Sequence, residues 1–148
     1  MPYLRVTCPA LTADQRRLIA RRLTDEVEAL FYHPRGGPSR EELREHTTVQ
    51  FVPYGEADLF IGGRTPDERG TPDVTVELSD WSMSVRQQRR VAARLTPVLA
   101  SLFGVPQNRL DSVNLRFHPY PPRDFAVGGR LLSDQVPRVG QVLKKLLG

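Results

Sequence analysis

The sequence predicts an α/β (α+β) fold made of two tandem β-α-β units, and three observations carry that expectation. The chain is written twice: a segment opening on proline (Pro2, Pro72), a long arginine-rich segment, a segment ending in Pro-Tyr, and a double glycine recur in one order. The matched landmarks keep a nearly constant offset, 70 residues for Pro2 and Pro72, 72 for Thr12 and Ser84, and 66 for Tyr54 and Tyr120. Within each copy the apolar residues change period, from every second residue to every third or fourth and back, as strand, helix and strand require.

Leu4 and Val6 in the first copy, and Val74, Val76 and Leu78 in the second, alternate with polar residues, the pattern of a half-buried strand. Thr12-x-x-Gln15 and Ser84-x-x-Gln87 each fit a capping box, in which two side chains satisfy orphan backbone donors at a helix start. Behind them, Ile19, Leu23, Val27 and Leu30, and then Val91, Leu95, Val98 and Leu102, recur at helical spacing and give each helix one stripe to lay on a sheet. Pro97 falls inside the second pattern and predicts a kink or a shortened helix. The returning strands span 48–52 and 113–117, and a right-handed crossover makes the two strands of each unit parallel. Gly62-Gly63 and Gly128-Gly129 then permit a tight reversal.

Two segments break the repeat. Residues 33–46 form an insertion rich in Gly and Pro that ends in a short helical stretch, where a lid over a site would sit. Residues 133–148 form a C-terminal arm or docking helix with Val139, Val142 and Leu146 on one side. The expected organisation is one domain, 1–148, with pseudo-repeats at 2–65 and 72–132 and the arm at 133–148.

Composition narrows the function classes. A net charge of +4 invites nucleic acid, but only Lys144 and Lys145 are lysines among 21 basic residues, and many arginines share helices with carboxylates. No nucleic-acid partner is expected. No apolar run approaches the roughly 20 residues that span a bilayer, so no membrane partner is expected either. One cysteine, Cys8, excludes an internal disulfide and suits a cytoplasmic location; at a strand end it reads as a small buried residue. His33, His46 and His118 have no metal-ligand spacing, so neither a metal nor a cofactor is expected.

The chain opens Met1-Pro2, a pair from which the methionine is normally removed. Pro2 would then carry a secondary amine whose lone pair, desolvated near other cations, titrates below the usual α-amino value of about 8. Such a group can take a proton from beside a carbonyl and return it elsewhere. Pro72 holds the same place in the second copy, but its nitrogen is an amide and has no basic lone pair.

The amino-terminal proline, the β-α-β order, the returning strand and Phe125-x-x-Gly128-Gly129 together resemble the tautomerase superfamily, most closely 4-oxalocrotonate tautomerase across Ser112 to Gly129, SVNLRFHPYPPRDFAVGG. The double unit is similar to its longer members: fused 4-oxalocrotonate tautomerases, malonate semialdehyde decarboxylase and cis-3-chloroacrylic acid dehalogenase. The resemblance covers about residues 2–132. It implies a four-stranded sheet with two helices on one face, and a homotrimer around a central barrel. Trimerisation also has a physical logic, because a sheet with helices on one face must still bury the other. The implied activity is that of an isomerase of the keto-enol tautomerase type, with Pro2 as general base on a small carbonyl or carboxylate substrate.

The two arginines that 4-oxalocrotonate tautomerase uses have no counterpart here: the matching places hold Leu11 or Ser82-Met83, and Gln50 or Asn114. Arg116 stands one side-chain step from the strand position and is the substitute cation, with Asn114 beside it as a donor to an enolate oxygen. Gln50 offers the same chemistry in the first copy. Phe125 and Phe60, before the glycine pairs, provide an apolar wall. Tyr3, next to Pro2, and Trp81, placed in the loop after the third strand, complete the substrate-binding set; Tyr54 and Tyr120 are weaker candidates as general acids.

Two rival readings come with discriminating features. A decarboxylase, hydratase or dehalogenase of a small carboxylic acid needs a carboxylate to activate water, for which Glu42 and Glu45 are the candidates. A non-catalytic ferredoxin-like binding or scaffold protein would share the element order, but the stacking aromatics of an RNA-binding strand are missing.

Overall fold

The computed structural model describes residues 1–148, Val139 by its backbone alone, so the side expected of Val139 in the arm lies outside the described residues. The chain forms β1 (Tyr3–Pro9), α1 (Ala13–Phe31), α2 (Arg40–Glu45), β2 (Thr48–Tyr54), α3 (Pro66–Arg69), β3 (Val74–Trp81), α4 (Val85–Phe103), β4 (Val113–Tyr120), a hairpin of β5 (Ala126–Val127) and β6 (Arg130–Leu131), α5 (Leu132–Gln135) and α6 (Arg138–Leu147). Short 3-10 turns precede and follow β4.

The four long strands make one sheet in the order β2-β1-β3-β4. β1 runs parallel to β2 and β3 parallel to β4, as two right-handed units require. The central pair β1–β3 is antiparallel, with Val6 opposite Val76. Those two residues are also 70 apart in the repeat, so a local two-fold axis passes between them and carries Pro2 onto Pro72. The β1–β3 ladder runs from Tyr3↔Ser79 to Thr7↔Thr75, so Pro2 and Asp80 each lie one residue beyond one end and Pro72 lies three residues beyond the other. The local symmetry holds for the backbone and breaks at the chemistry, since the Pro72 nitrogen stays an amide inside the chain.

One face of the sheet is apolar. Leu4, Val6 and Cys8 of β1 and Val74, Val76 and Leu78 of β3 are fully buried against Ile19, Leu23 and Val27 of α1 and Val91, Leu95 and Leu99 of α4. At about 25 cal/mol per Å² of apolar surface removed from water, this layer is the main stabilising term. Leu99, not Val98, completes the α4 stripe. Pro97 neither shortens nor divides α4, which runs unbroken from Val85 to Phe103. Glu26, buried on α1, ties the two helices together by accepting from Arg22 at 3.1 Å and from Arg94 of α4 at 2.5 Å.

The other face is free of helices and polar. Gln50, Arg5, Glu77 and Arg116 stand side by side in one row across the four strands. Glu77 also meets His118 at 3.5 Å.

Local chemistry agrees with most expected boundaries. The box at Thr12 and Gln15 is closed in both directions. That at Ser84 is half formed: Ser84 Oγ accepts from the Gln87 N–H at 3.1 Å, while the Gln87 side chain turns into the interior. The insertion ends in α2, itself boxed by Ser39 and Glu42. Both glycine pairs reverse the chain with positive φ at both residues, 59° and 77° at Gly62-Gly63 and 58° and 79° at Gly128-Gly129, the geometry of a type I′ turn. Trp81 is corrected from loop to strand: it is the last residue of β3, paired with Tyr120. The β3–β4 ladder runs on because Asp80 and Trp81 both find partners beyond the apolar run. Among the described residues, no helix is long and apolar enough to cross a membrane.

Candidate active site

β3 reads Val74, Val76, Leu78 and Asp80 along its buried side, so the fourth member of an apolar series is a carboxylate. Asp80 is 1% exposed, and a charge so placed must be paired. It is paired twice. The amino-terminal nitrogen, on Met1 in this chain, donates to Asp80 Oδ1 at 2.7 Å. Lys144 Nζ donates to Oδ2 at 2.5 Å.

Lys144 comes from α6, which ends beside the sheet and turns this one cation inward while Val142 and Leu146 stay exposed. The Lys144 ammonium also stands 4.1 Å from the centre of the Trp81 ring, within cation–π range. Across the ladder from Trp81, Tyr120 packs on Phe125 with ring centres 5.6 Å apart. The last turn of α6 lies against Gln87: a methyl group placed on Gly148 would meet Gln87 Oε1 at 3.2 Å. That amide oxygen is buried and has no hydrogen-bond partner among the described residues.

The electrostatics follow from burial. Desolvation lowers the pKa of the amino-terminal amine; the Asp80 carboxylate pulls it back up, and Lys144 pushes it further down. Burial lowers Lys144 as well, opposed by Asp80. Burial, then the nearby Asp80 charge, push the Tyr120 phenol up to about 12. The end of the sheet where β1 starts and β3 and β4 finish thus holds an amine, an ammonium, a carboxylate and two stacked aromatic rings.

The residues expected from sequence divide into groups. Pro2 is buried, and its carbonyl accepts from the Thr48 N–H at 3.0 Å. Trp81 and Phe125 gather at the same end of the sheet as Pro2. Tyr3 is next to Pro2 on the helix-free face, where its hydroxyl donates to Gln50 Oε1. Arg116 and Asn114 lie on that face too, opposite Glu77 and Thr75 of β3, and are not brought to Pro2 of their own chain. Phe60 follows the far end of β2 and is 56% exposed. Tyr54 is bound at that far end, donating to the Asp73 carbonyl at 2.8 Å and accepting from its N–H at 3.1 Å. Glu42 accepts from the Ser39 N–H at 2.7 Å in the α2 cap, which lowers its pKa. Sequence reasoning missed Asp80 and Lys144. The signal for Asp80 was its place in the β3 alternation; Lys144 has none, because its role depends on where α6 docks.

No protein-family model matches the chain, and no curated protein sequence does. Solved structures do match. The structure of Pt0534 inactivated by 2-oxo-3-pentynoate superposes with a TM-score of 0.71 at 17% identity, over 91% of this chain and 99% of that one. The F6 fused 4-oxalocrotonate tautomerase, an asymmetric trimer, gives 0.70 at 19% identity over the same shares, 91% and 99%. N1, of the cis-3-chloroacrylic acid dehalogenase family, gives 0.67 at 18% identity over 96% and 97%. These neighbours are members of the tautomerase superfamily. The fold of this chain is the one they share, two fused β-α-β units on one sheet.

Proposed function

We propose that this chain is a tautomerase-superfamily enzyme of the cytoplasm that moves a proton on a small enolisable substrate, with the amine of Pro2 as general base. The observation that carries the reading is the buried start of β1, where the amine of Met1, next to Pro2, meets Asp80 and burial lowers its pKa. Removal of Met1 transfers the free amine to Pro2, which, like Asp80, lies one residue beyond the Tyr3↔Ser79 rung. The new group is a secondary amine, neutral and basic once desolvated. Pro72 keeps an amide nitrogen, so each chain carries one such site.

The lone pair takes a proton from the carbon next to a carbonyl, and the resulting ammonium returns it. Trp81 and Phe125 wall the site. Arg116, Asn114 and Gln50, on the helix-free face, serve a neighbouring copy within a homotrimer, and Tyr3 and Phe60 sit at the borders between copies. Glu42 is committed to a helix cap and Asp80 is held by Lys144, which favours proton transfer over activation of water.

Ketonisation of a dissolved enol, followed by absorbance, tests the reading with three chains. The mature wild type turns over. Pro2→Ala retains a primary amine and keeps part of the rate. A chain blocked by an amino-terminal extension loses about 10² to 10⁴-fold, the worth of a positioned base. Full turnover by the blocked chain contradicts the proposal.

A further inference from the structure

A base that makes an enolate needs a partner for the oxygen on which charge develops, and α6 supplies one. We propose that Lys144 binds the substrate's carbonyl oxygen, and that the reacting end of the substrate is an uncharged enolisable carbonyl. This rests on the general-base reading of Pro2 and extends it to a substrate class.

Three observations support it. The Met1 amine and the Lys144 ammonium are held on the two oxygens of one fully buried carboxylate, and removal of Met1 places the base one residue along the chain, at the buried Pro2 that leads into β1 beside this pair. An ammonium has three N–H donors. One goes to Asp80 Oδ2, the Trp81 ring takes the charge from one side, and the Lys144 side chain is still 18% exposed, leaving a donor for an incoming oxygen.

The third observation is charge balance. Among the described residues, Asp80 contacts no other cation than these two. With the amine neutral, Lys144 and Asp80 cancel. When the amine takes the proton, the C–H pair becomes the new C=C bond and the carbonyl π pair moves onto oxygen. One positive and one negative charge form together, and the site is neutral before and after. Return of the proton to oxygen or carbon restores the amine and leaves nothing over. With Arg116 of a neighbouring copy left to the part of the substrate outside this site, a carboxylate at the reacting end adds a negative charge that Lys144, already matched by Asp80, does not offset, which a desolvated site opposes.

The test uses two probes, the enol of acetylacetone, which is uncharged, and the enol of phenylpyruvate, which bears a carboxylate. The wild type is expected to favour acetylacetone by at least about tenfold in kcat/KM. Lys144→Met should lower kcat on acetylacetone by about 10² to 10³-fold with KM little changed, the loss typical of one oxyanion donor. Lys144→Arg should stay within about tenfold of wild type, since it keeps a charged donor. The double variant Asp80→Asn with Lys144→Met removes the pair together, leaves no unmatched carboxylate to unfold the chain, and should show the same loss in kcat. Wild-type kcat in either Met variant, a wild-type preference for the charged enol, or no turnover of acetylacetone by the wild type overturns the proposal. If the chain with a blocked amine loses turnover while Lys144→Met does not, only Lys144 is misassigned. If the blocked chain is fully active, the reading of Pro2 itself fails.

Discussion

Asp80 and Lys144 are 64 residues apart in the sequence and meet at 2.5 Å in the fold, with the other oxygen of Asp80 taken by the terminal amine. Removing the carboxylate leaves the Lys144 ammonium buried without its counter-charge. Breaking a buried pair from one side costs about 3–5 kcal/mol. Asp80→Ala is therefore expected to lower the urea midpoint by that amount of stability with an unchanged m-value. A loss below about 1 kcal/mol would mean that Asp80 is solvated or paired elsewhere.

The repeat provides an internal control. Pro72 shares the repeat position of Pro2, 70 residues on, but its nitrogen is an amide inside the chain. Pro72→Ala should leave enol turnover within about twofold of wild type, whereas blocking Pro2 costs about 10²-fold or more. Equal losses at the two prolines, measured on folded protein, would assign both to structure.

Tyr120 should titrate late. The ordinary phenol value is 10.0, and burial with the Asp80 charge raises it to about 12. Its folded pKa lies above the unfolded one, so the neutral phenol contributes stability that is fully present below about pH 10. That contribution is lost as the pH rises through about 12. Of the chain's four tyrosines, Tyr120 should give a late tyrosinate absorbance step near 12 that Tyr120→Phe removes. Survival of the step in that variant assigns it to another tyrosine.

Cys8 is fully buried beneath the helices, and desolvation raises its thiol to about 11. A thiolate-directed reagent such as DTNB should therefore react at pH 8 only as fast as the chain opens, and at once in denaturant. Rapid labelling of the native protein would show that the strand end is open.

Much of the fold was legible because it rests on local signals. Proline-led alternation, caps and apolar stripes each act within a few residues, and the 70-residue offset of Pro2 and Pro72 repeats them. Val98 was read in the stripe where Leu99 lies, since helical spacing leaves one residue of freedom when both neighbours are apolar. Trp81 was placed in a loop because the apolar alternation ends at Leu78; the strand continues because buried ionic and cation–π contacts replace apolar burial there. The site was half legible. Pro2 stands out by its chemistry, and Asp80 could have been found by folding the repeat back on itself about Val6 and Val76. Lys144 could not, because nothing local fixes where a C-terminal helix docks. Arg116 was placed with Asn114 and His118 on the strand face opposite Val113, Leu115 and Phe117, and that pleat holds: the three apolar residues pack on the core and Arg116 stands on the helix-free face beside Glu77.

The central claim is that Pro2 carries a free, desolvated amine beside Asp80 and Lys144. A ¹⁵N-proline NMR titration of the mature chain measures that amine directly. The Pro2 nitrogen is predicted to titrate below the same proline in an unfolded peptide of residues 2–8, the direction that burial imposes on the terminal amine. A titration at or above the peptide value, or an intact mass that retains Met1 in active protein, would contradict it.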